Sequence, residues 1–338
     1  MANEPNSFTL RKMGTAFNFT IYSPYFDRHW IDEIEQLIEE LEQSWSRFRK
    51  DSELSRLNRD GFLDSPSEFF RIAIEAAITA NDDTRGLFEP RVLSALEAIG
   101  YDRSFEKIIP VTSIRTPAID IPTSSLRSEL RVSPSRVTLS SKHQIDLGGI
   151  GKCLALEEIS SWISHQDHES SFLVEAGGDI VGKSSMDFPC WYIAIEDPNT
   201  GQPLSFWIRI ASGAVATSSP SIRNWTVGSK SKHHLIDPYS MDSSNSDLAS
   251  VTVVGDTPSN CEVWSKALYL MGKDAALKAA HERSIAAILI DRQSNVSTSA
   301  SFNRFIEVRG ESISAANSAS HLDFSSPLIN FTFVHFVH

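Results

Sequence analysis

Asp146-Leu147-Gly148-Gly149-Ile150-Gly151-Lys152 sets an acid, three glycines and a lysine directly ahead of a segment with helical periodicity. That combination suits a phosphate. Glycine lets backbone amides approach a ligand closely and adopt positive φ. A helix N-terminus offers unpaired N–H groups and a partial positive charge, and the two together make an anion site. Lys152 would add a full positive charge there. Asp146 could accept hydrogen bonds from a sugar or amine, or help hold a metal. The spacing matches neither G-x-G-x-x-G nor G-x-x-x-x-G-K-[ST], so a tight turn that merely opens a helix stays open as the bland alternative.

Four further stretches carry groups of the same kind. "MGT" at 13–15 precedes an alternating run, and "AGGDI" at 176–180 follows an apolar one, a second place for close backbone approach. "AVATSS" at 214–219 is a run of small and hydroxyl side chains suited to a ligand wall. "HHLIDP" at 233–238 sets His234 three residues before Asp237. Histidine is the usual general base near neutral pH; the other reading of His234 is a satisfied surface or core histidine.

The elements that must position these groups follow from periodicity. Residues 15–22 alternate as a half-buried strand. Trp30, Ile34, Leu37, Ile38, Leu41, Trp45 and Phe48 share one face of a helix over 30–48, with acids on the other. A second helix is predicted over 65–82, with Ser65 or Ser67 as cap, ending before Gly86. Residues 110–140 read as loop or small hairpins. Leu156, Ile159 and Ile163 give a helix face; 171–175, 191–196, 206–211 and 250–254 read as strands. A helix over 260–272 ends at Gly272, and 284–290 and 303–308 close the ordered part as strands. Strands and helices intermix without regular βαβ alternation, so the fold class is α+β. One domain over 1–310 is expected, with a Ser- and Asn-rich C-terminal extension over 311–338.

The 338 residues carry a net charge of −12, which argues against a nucleic-acid partner. Cys153, Cys190 and Cys261 lie far apart with no C-x-x-C pair, against a zinc site or a disulfide framework. No run reaches the roughly 18 apolar residues of a membrane span, and the N-terminus lacks an apolar export core. A cytoplasmic location with reduced thiols and no membrane partner is the expectation.

Taken in order, "MGTAF", "SRFRKDSELSRLN", "GLFEPRV…GYD", "DLGGIGK", "AGGDI", "VATSS", "HHLIDP" and "SVTVV…CEVWSKALYLMG" resemble the ApbE family of FAD:protein FMN transferases, from about Met13 to Val308. The resemblance implies an ApbE-like (T-fold-like) α+β fold of mixed sheets with flanking helices and a cofactor cleft between two halves. It implies FAD and a divalent metal, usually Mg2+, and transfer of FMN to a Thr or Ser hydroxyl of a target flavoprotein with release of AMP. It also implies roles. Met13, Phe48 and the Glu89-Pro90-Arg91 turn would contact FAD, Asp146 and Lys152 would line its site, and the Ala176–Asp179 loop with Gly177 and Gly178 would pack near the nucleotide. Thr217 and Leu235 would face the cofactor. The Gly149 carbonyl would ligate the metal, and His234 would deprotonate the incoming hydroxyl. Two other outcomes fit the same resemblance: an FAD-binding protein without transferase activity, and a pyrophosphatase giving FMN and AMP.

The late helix departs from the family pattern. Glu262 stands where the family has a metal-ligating Asp, and Lys266 where it has a Thr. A protonated lysine has only donors and cannot ligate. Arg91 stands at another Thr position, and "DPYSM" replaces a glycine-containing turn. Three readings of Lys266 stay open: a catalytic cation replacing the metal against the diphosphate, with Arg91 assisting; loss of the metal and of transfer; or an ion pair with Glu262 one helical turn away.

Overall fold

The computed structural model describes residues 4–103, 120–140, 142–185, 190–221, 223–308 and 331–332. Eight strands form the central sheet: β1 (Asn6–Lys12), β2 (Thr15–Tyr22), β3 (Ser171–Ala176), β4 (Asp179–Lys183), β5 (Ser212–Ser218), β6 (Leu248–Gly255), β7 (Ala286–Asp291) and β8 (Val296–Thr298). They lie side by side in chain order, and every neighbouring pair is antiparallel. Helices α1 (Arg28–Trp45), α2 (Glu53–Asp60), α3 (Glu68–Asp83), α4 (Leu93–Ala98) and α5 (Leu126–Glu129) fall in the long excursion between β2 and β3, as does α6 (Gly151–Gln166). Helices α7 (Pro258–Met271) and α8 (Lys273–Glu282) connect β6 to β7.

The two-residue period of a strand sorts the core into layers. Phe172, Val174 and Ala176 of β3 pack with α1, α3 and α6, while Leu173 between them points to the opposite face. Val251, Val253, Ala287 and Leu289 meet α7 and α8; Val254, Ala286, Ile288 and Ile290 face away. That opposite face is covered by a second sheet of Trp191–Asp197, Gln202–Ile210, Ile306–Val308 and Phe331–Thr332. Helices, eight-stranded sheet and four-stranded sheet therefore make three layers. Cover on both faces is why the inner strands are buried along nearly their whole length, Leu248–Val254 and Ala286–Asp291 without an exposed position.

Local chemistry sets the boundaries. Asp27 caps α1 by accepting from His29 N at 2.7 Å, and Ser67, not Ser65, caps α3. Ser52 caps α2, which ends at Gly61 with φ +75°. That helix and the edge strand β1 give no clear sequence signal: α2 buries only Leu54 and Leu57, and β1 has no fully buried position, so neither displays a full apolar stripe. Residues 303–308, expected as a strand, begin within a 3-10 turn over Ala300–Phe305, and only Ile306–Val308 pairs. Of the expected loop over 110–140, the part from 120 carries α5 and a hairpin of Leu130–Val132 with Arg136–Leu139; 104–119 lie outside the described residues. The same holds for the 311–338 extension apart from 331–332.

Candidate active site

The tip of the β1–β2 hairpin is Met13-Gly14, with φ of +52° and +67°. A two-residue loop with both φ positive matches the right-handed twist of the flanking strands, although a methionine there is unusual. Met13 N donates to the Glu42 carboxylate at 3.3 Å, which ties the tip to the end of α1. The chain then leaves α1 through Ser46, Arg47 and Phe48. These residues, the start of α6, one face of α7, the segment 87–92 and His234 surround a cavity of about 350 Å³.

The three glycines of the opening motif do different work. A Cβ on Gly148 would lie 2.9 Å from the Asp146 carboxylate, and one on Gly149 2.7 Å from Lys266 Nζ. A side chain at Gly148 would press on the Arg47-braced carboxylate, and one at Gly149 would displace the flexible tip of Lys266. Gly151 has ordinary space, its nearest neighbours Trp45 and Met13 being 3.7 and 3.8 Å from such a carbon. Asp146 receives Gly148 N at 3.0 Å and Arg47 Nε at 3.0 Å. Arg47 also donates to the Tyr101 carbonyl at 2.8 Å, with its guanidinium 4.2 Å from the Phe48 ring centre and 4.6 Å from that of Tyr101. The side chains of Arg47 and Asp146 are 6% and 9% exposed, so the pair is a buried brace under the glycine turn.

The opposite wall is α7. Lys266 Nζ donates to Glu262 Oε1 at 3.0 Å and to the Gly149 carbonyl at 3.1 Å, and stands 5.6 Å from the Phe88 ring centre. It is thus held by the two oxygens that the family resemblance assigns to a metal. The i, i+4 ion pair is present, and Lys266 lines the cavity. Beside it Lys152 reaches Asp179 at 3.2 Å. Burial opposes the charge of Lys152, but Asp179 and Glu262 outweigh it and raise the lysine to about 12. Burial pushes the Asp179 carboxyl up to about 6. Glu262, Asp179 and Cys153 offer ligand atoms within 4.8 Å of one another, with both lysines already set against the carboxylates.

His234 lines the same cavity. Its Nδ1 lies 3.4 Å from the Arg223 carbonyl, an acceptor only, so that nitrogen carries the proton and Nε2 keeps its lone pair. Burial, with Arg223 and Lys266 nearby, holds the imidazole well below its usual range. The group is therefore a neutral base at neutral pH.

Of the residues expected at the site, Met13, Phe48, Glu89, Pro90, Asp146, Gly149, Lys152, His234, Glu262 and Lys266 all line the cavity. Six do not. Arg91 is turned away: its guanidinium makes a two-pronged pair with Glu89 at 2.9 and 2.8 Å and reaches Glu129 at 2.8 Å. Asp179 and Gly177 stand behind Lys152, and Gly178 N is bound to Glu175 at 2.6 Å. Thr217 pairs its hydroxyl with Thr252 across the sheet at 2.8 Å, so "AVATSS" is a core strand rather than a ligand wall. Leu235 is buried in the apolar layer under α7. Arg47, Arg223, Phe88 and Tyr101 also line the cavity, beyond the expected site residues. Arg47 sits inside the quoted "SRFRKD" motif beside Phe48, whereas "SIRNW" offered no signal for Arg223.

Comparison with known proteins gives the chain's relatives. The model of the ApbE family matches residues 13–290. The FAD:protein FMN transferase of Haemophilus influenzae is 26% identical over 296 residues, covering 82% of this chain and 84% of its own. That of Vibrio cholerae is 26% identical over 289 residues, covering 82% and 85%. Among solved structures, the ApbE protein of Thermotoga maritima superposes with a TM-score of 0.78 at 22% identity, covering 91% of this chain and all of that one. The flavin transferase ApbE of Vibrio cholerae gives 0.72 at 23%, covering 89% and 99%. Both structures share the α+β architecture described above. With the family model spanning the hairpin tip, the glycine turn, His234 and the α7 wall, this chain belongs to the ApbE family.

Proposed function

We propose that the chain is an FAD:protein FMN transferase. The observation that carries the reading is one cavity that gathers the glycine-mouthed start of α6, a neutral histidine and a cationic wall, in a chain of the ApbE family. The reaction needs all three. A Thr or Ser hydroxyl of the target flavoprotein attacks the flavin-side phosphorus of FAD. The new P–O bond forms as the bond from that phosphorus to the bridging oxygen breaks, the bridging oxygen leaves with AMP, and the hydroxyl proton passes to His234 Nε2. Backbone amides at the helix mouth and the fixed cations offset charge on the diphosphate, the dominant demand in phosphoryl transfer. Arg223 lines the cavity, and among the described residues no ion pair engages it. Phe48 and Tyr101 supply apolar faces for the ring systems, and Met13 closes the side next to Gly151.

The resemblance also implies magnesium, and the residues present do not fit it. The space between the Gly149 carbonyl and the Glu262 carboxylate holds an ammonium 3.1 and 3.0 Å from those oxygens. A divalent ion there would face a fixed positive charge.

The test mixes purified protein with FAD, with and without an acceptor domain bearing a Thr. AMP is followed by chromatography and flavin fluorescence on a denaturing gel. Transfer predicts AMP and a fluorescent acceptor band together. AMP without acceptor would make the protein a pyrophosphatase, and a yellow protein that releases no AMP would make it a binder.

A further inference from the structure

We propose that Lys266 is a tethered cation standing in place of a divalent metal, so that this cleft grips the FAD diphosphate without one. The inference rests on the transferase reading for its ligand, and it makes a separate claim about how that ligand is held.

Three observations converge on one spot. The Gly149 carbonyl and the Glu262 carboxylate, from different elements, aim oxygens at the same position, and Lys266 Nζ occupies it at 3.1 and 3.0 Å. Those are good hydrogen-bond lengths for an ammonium. Gly149 is itself adapted to the lysine: any side chain would begin 2.7 Å from Nζ and evict it. The Phe88 ring closes a third side, 5.6 Å from the ammonium. The Lys266 side chain is 14% exposed, and the residue lines the cavity.

An ammonium has three donors. Two are used here, one on each oxygen, which leaves the third for a phosphate oxygen. Lysine works on phosphate as a compact point charge, the part a metal would otherwise play. Glu262 then has a positioning role: it orients the lysine. Lys266 offsets charge as it builds on the departing bridging oxygen, while His234 takes the hydroxyl proton.

The experiment uses the full chain, stripped with EDTA, in three assays: FAD affinity by quenching of flavin fluorescence, Mn2+ uptake by electron paramagnetic resonance in the presence of FAD, and AMP release with acceptor. The wild-type protein should bind FAD equally well in EDTA and in millimolar magnesium, and should hold no Mn2+ beyond that chelated by FAD alone. Lys266→Thr should lose at least about tenfold in metal-free FAD affinity, ~1.4 kcal/mol, and recover part of it when Mn2+ is added. Its manganese spectrum should then report a protein-bound ion. Lys266→Arg, which keeps the charge, should lose less than Lys266→Thr in EDTA.

A wild-type protein whose FAD affinity collapses in EDTA and returns with magnesium overturns the proposal. So does tight Mn2+ uptake by the wild-type protein. If Lys266→Thr fails to fold, the wild-type comparison decides alone. If no condition yields AMP although FAD binds, the transferase reading falls, and the affinity and manganese assays still decide the role of Lys266.

Discussion

Arg91→Met separates a residue that binds ligand from one that holds the fold. The Arg91 side chain is 2% exposed and Glu89 6%, and their two-pronged contact is joined by Glu129, by the Ser124 carbonyl at 3.0 Å and by Arg91 N on Glu89 at 2.9 Å. Burial works against the arginine charge, yet the Glu89 and Glu129 carboxylates outweigh it and raise its pKa. Removing the guanidinium leaves Glu89 buried beside the cavity without its partner. Breaking such a pair from one side costs about 3–5 kcal/mol. For a chain of this size each kcal/mol lowers Tm by roughly 2 °C, so Arg91→Met should melt about 6–10 °C below the wild type in a calorimetric scan. Replacing both partners by shapes of similar size is far less costly, so Glu89→Gln with Arg91→Met should recover at least ~1.5 kcal/mol of the loss, well beyond the ~0.5 kcal/mol expected for independent sites. A Tm unchanged in Arg91→Met, together with lost FAD binding, would refute the reasoning and return Arg91 to the cofactor.

His234 is held well below the ordinary histidine range by burial and by Arg223 and Lys266. Its base form therefore persists as pH falls, and the acid limb of the transfer profile should lie below the usual histidine value of about 6.5; a limb at or above that value contradicts the assignment. His234→Asn should keep FAD affinity within about threefold while lowering turnover by about 10²–10⁴. Gly149→Ala adds a carbon 2.7 Å from Lys266 Nζ. The flexible lysine tip can yield, so the cost to stability should stay below ~1.5 kcal/mol, with metal-free FAD affinity falling by at least about threefold; an unchanged affinity would mean the ammonium does not touch the ligand. Cys153, Cys190 and Cys261 are buried, and burial pushes the Cys153 and Cys261 thiols up. Ellman's reagent should accordingly label no thiol promptly in the native protein and all three in denaturant.

Local chemistry made much of this protein legible in its sequence. Trp30, Ile34, Ile38, Leu41 and Trp45 recur at helical spacing because only one side of α1 can be buried, and the Ala-Ile-Leu-Ile run of β7 marks a strand buried on both faces. The glycine turn ahead of Lys152 and the i, i+4 spacing of Glu262 and Lys266 are likewise properties of short segments. What the folded chain alone decided is which charges meet. Arg91 and Lys266 look alike as cations set into a binding motif, yet one is consumed by Glu89 and Glu129 and the other is held at the cavity between Glu262 and Gly149, 117 residues earlier in the chain. Thr217 turned out to be a strand residue facing Thr252, and Arg223 a lining cation with no motif around it. The physical reason is range. Periodicity and capping act within a few turns, whereas a charge takes its role from partners that only the packing of α6 against α7 brings within 3 Å or so of it.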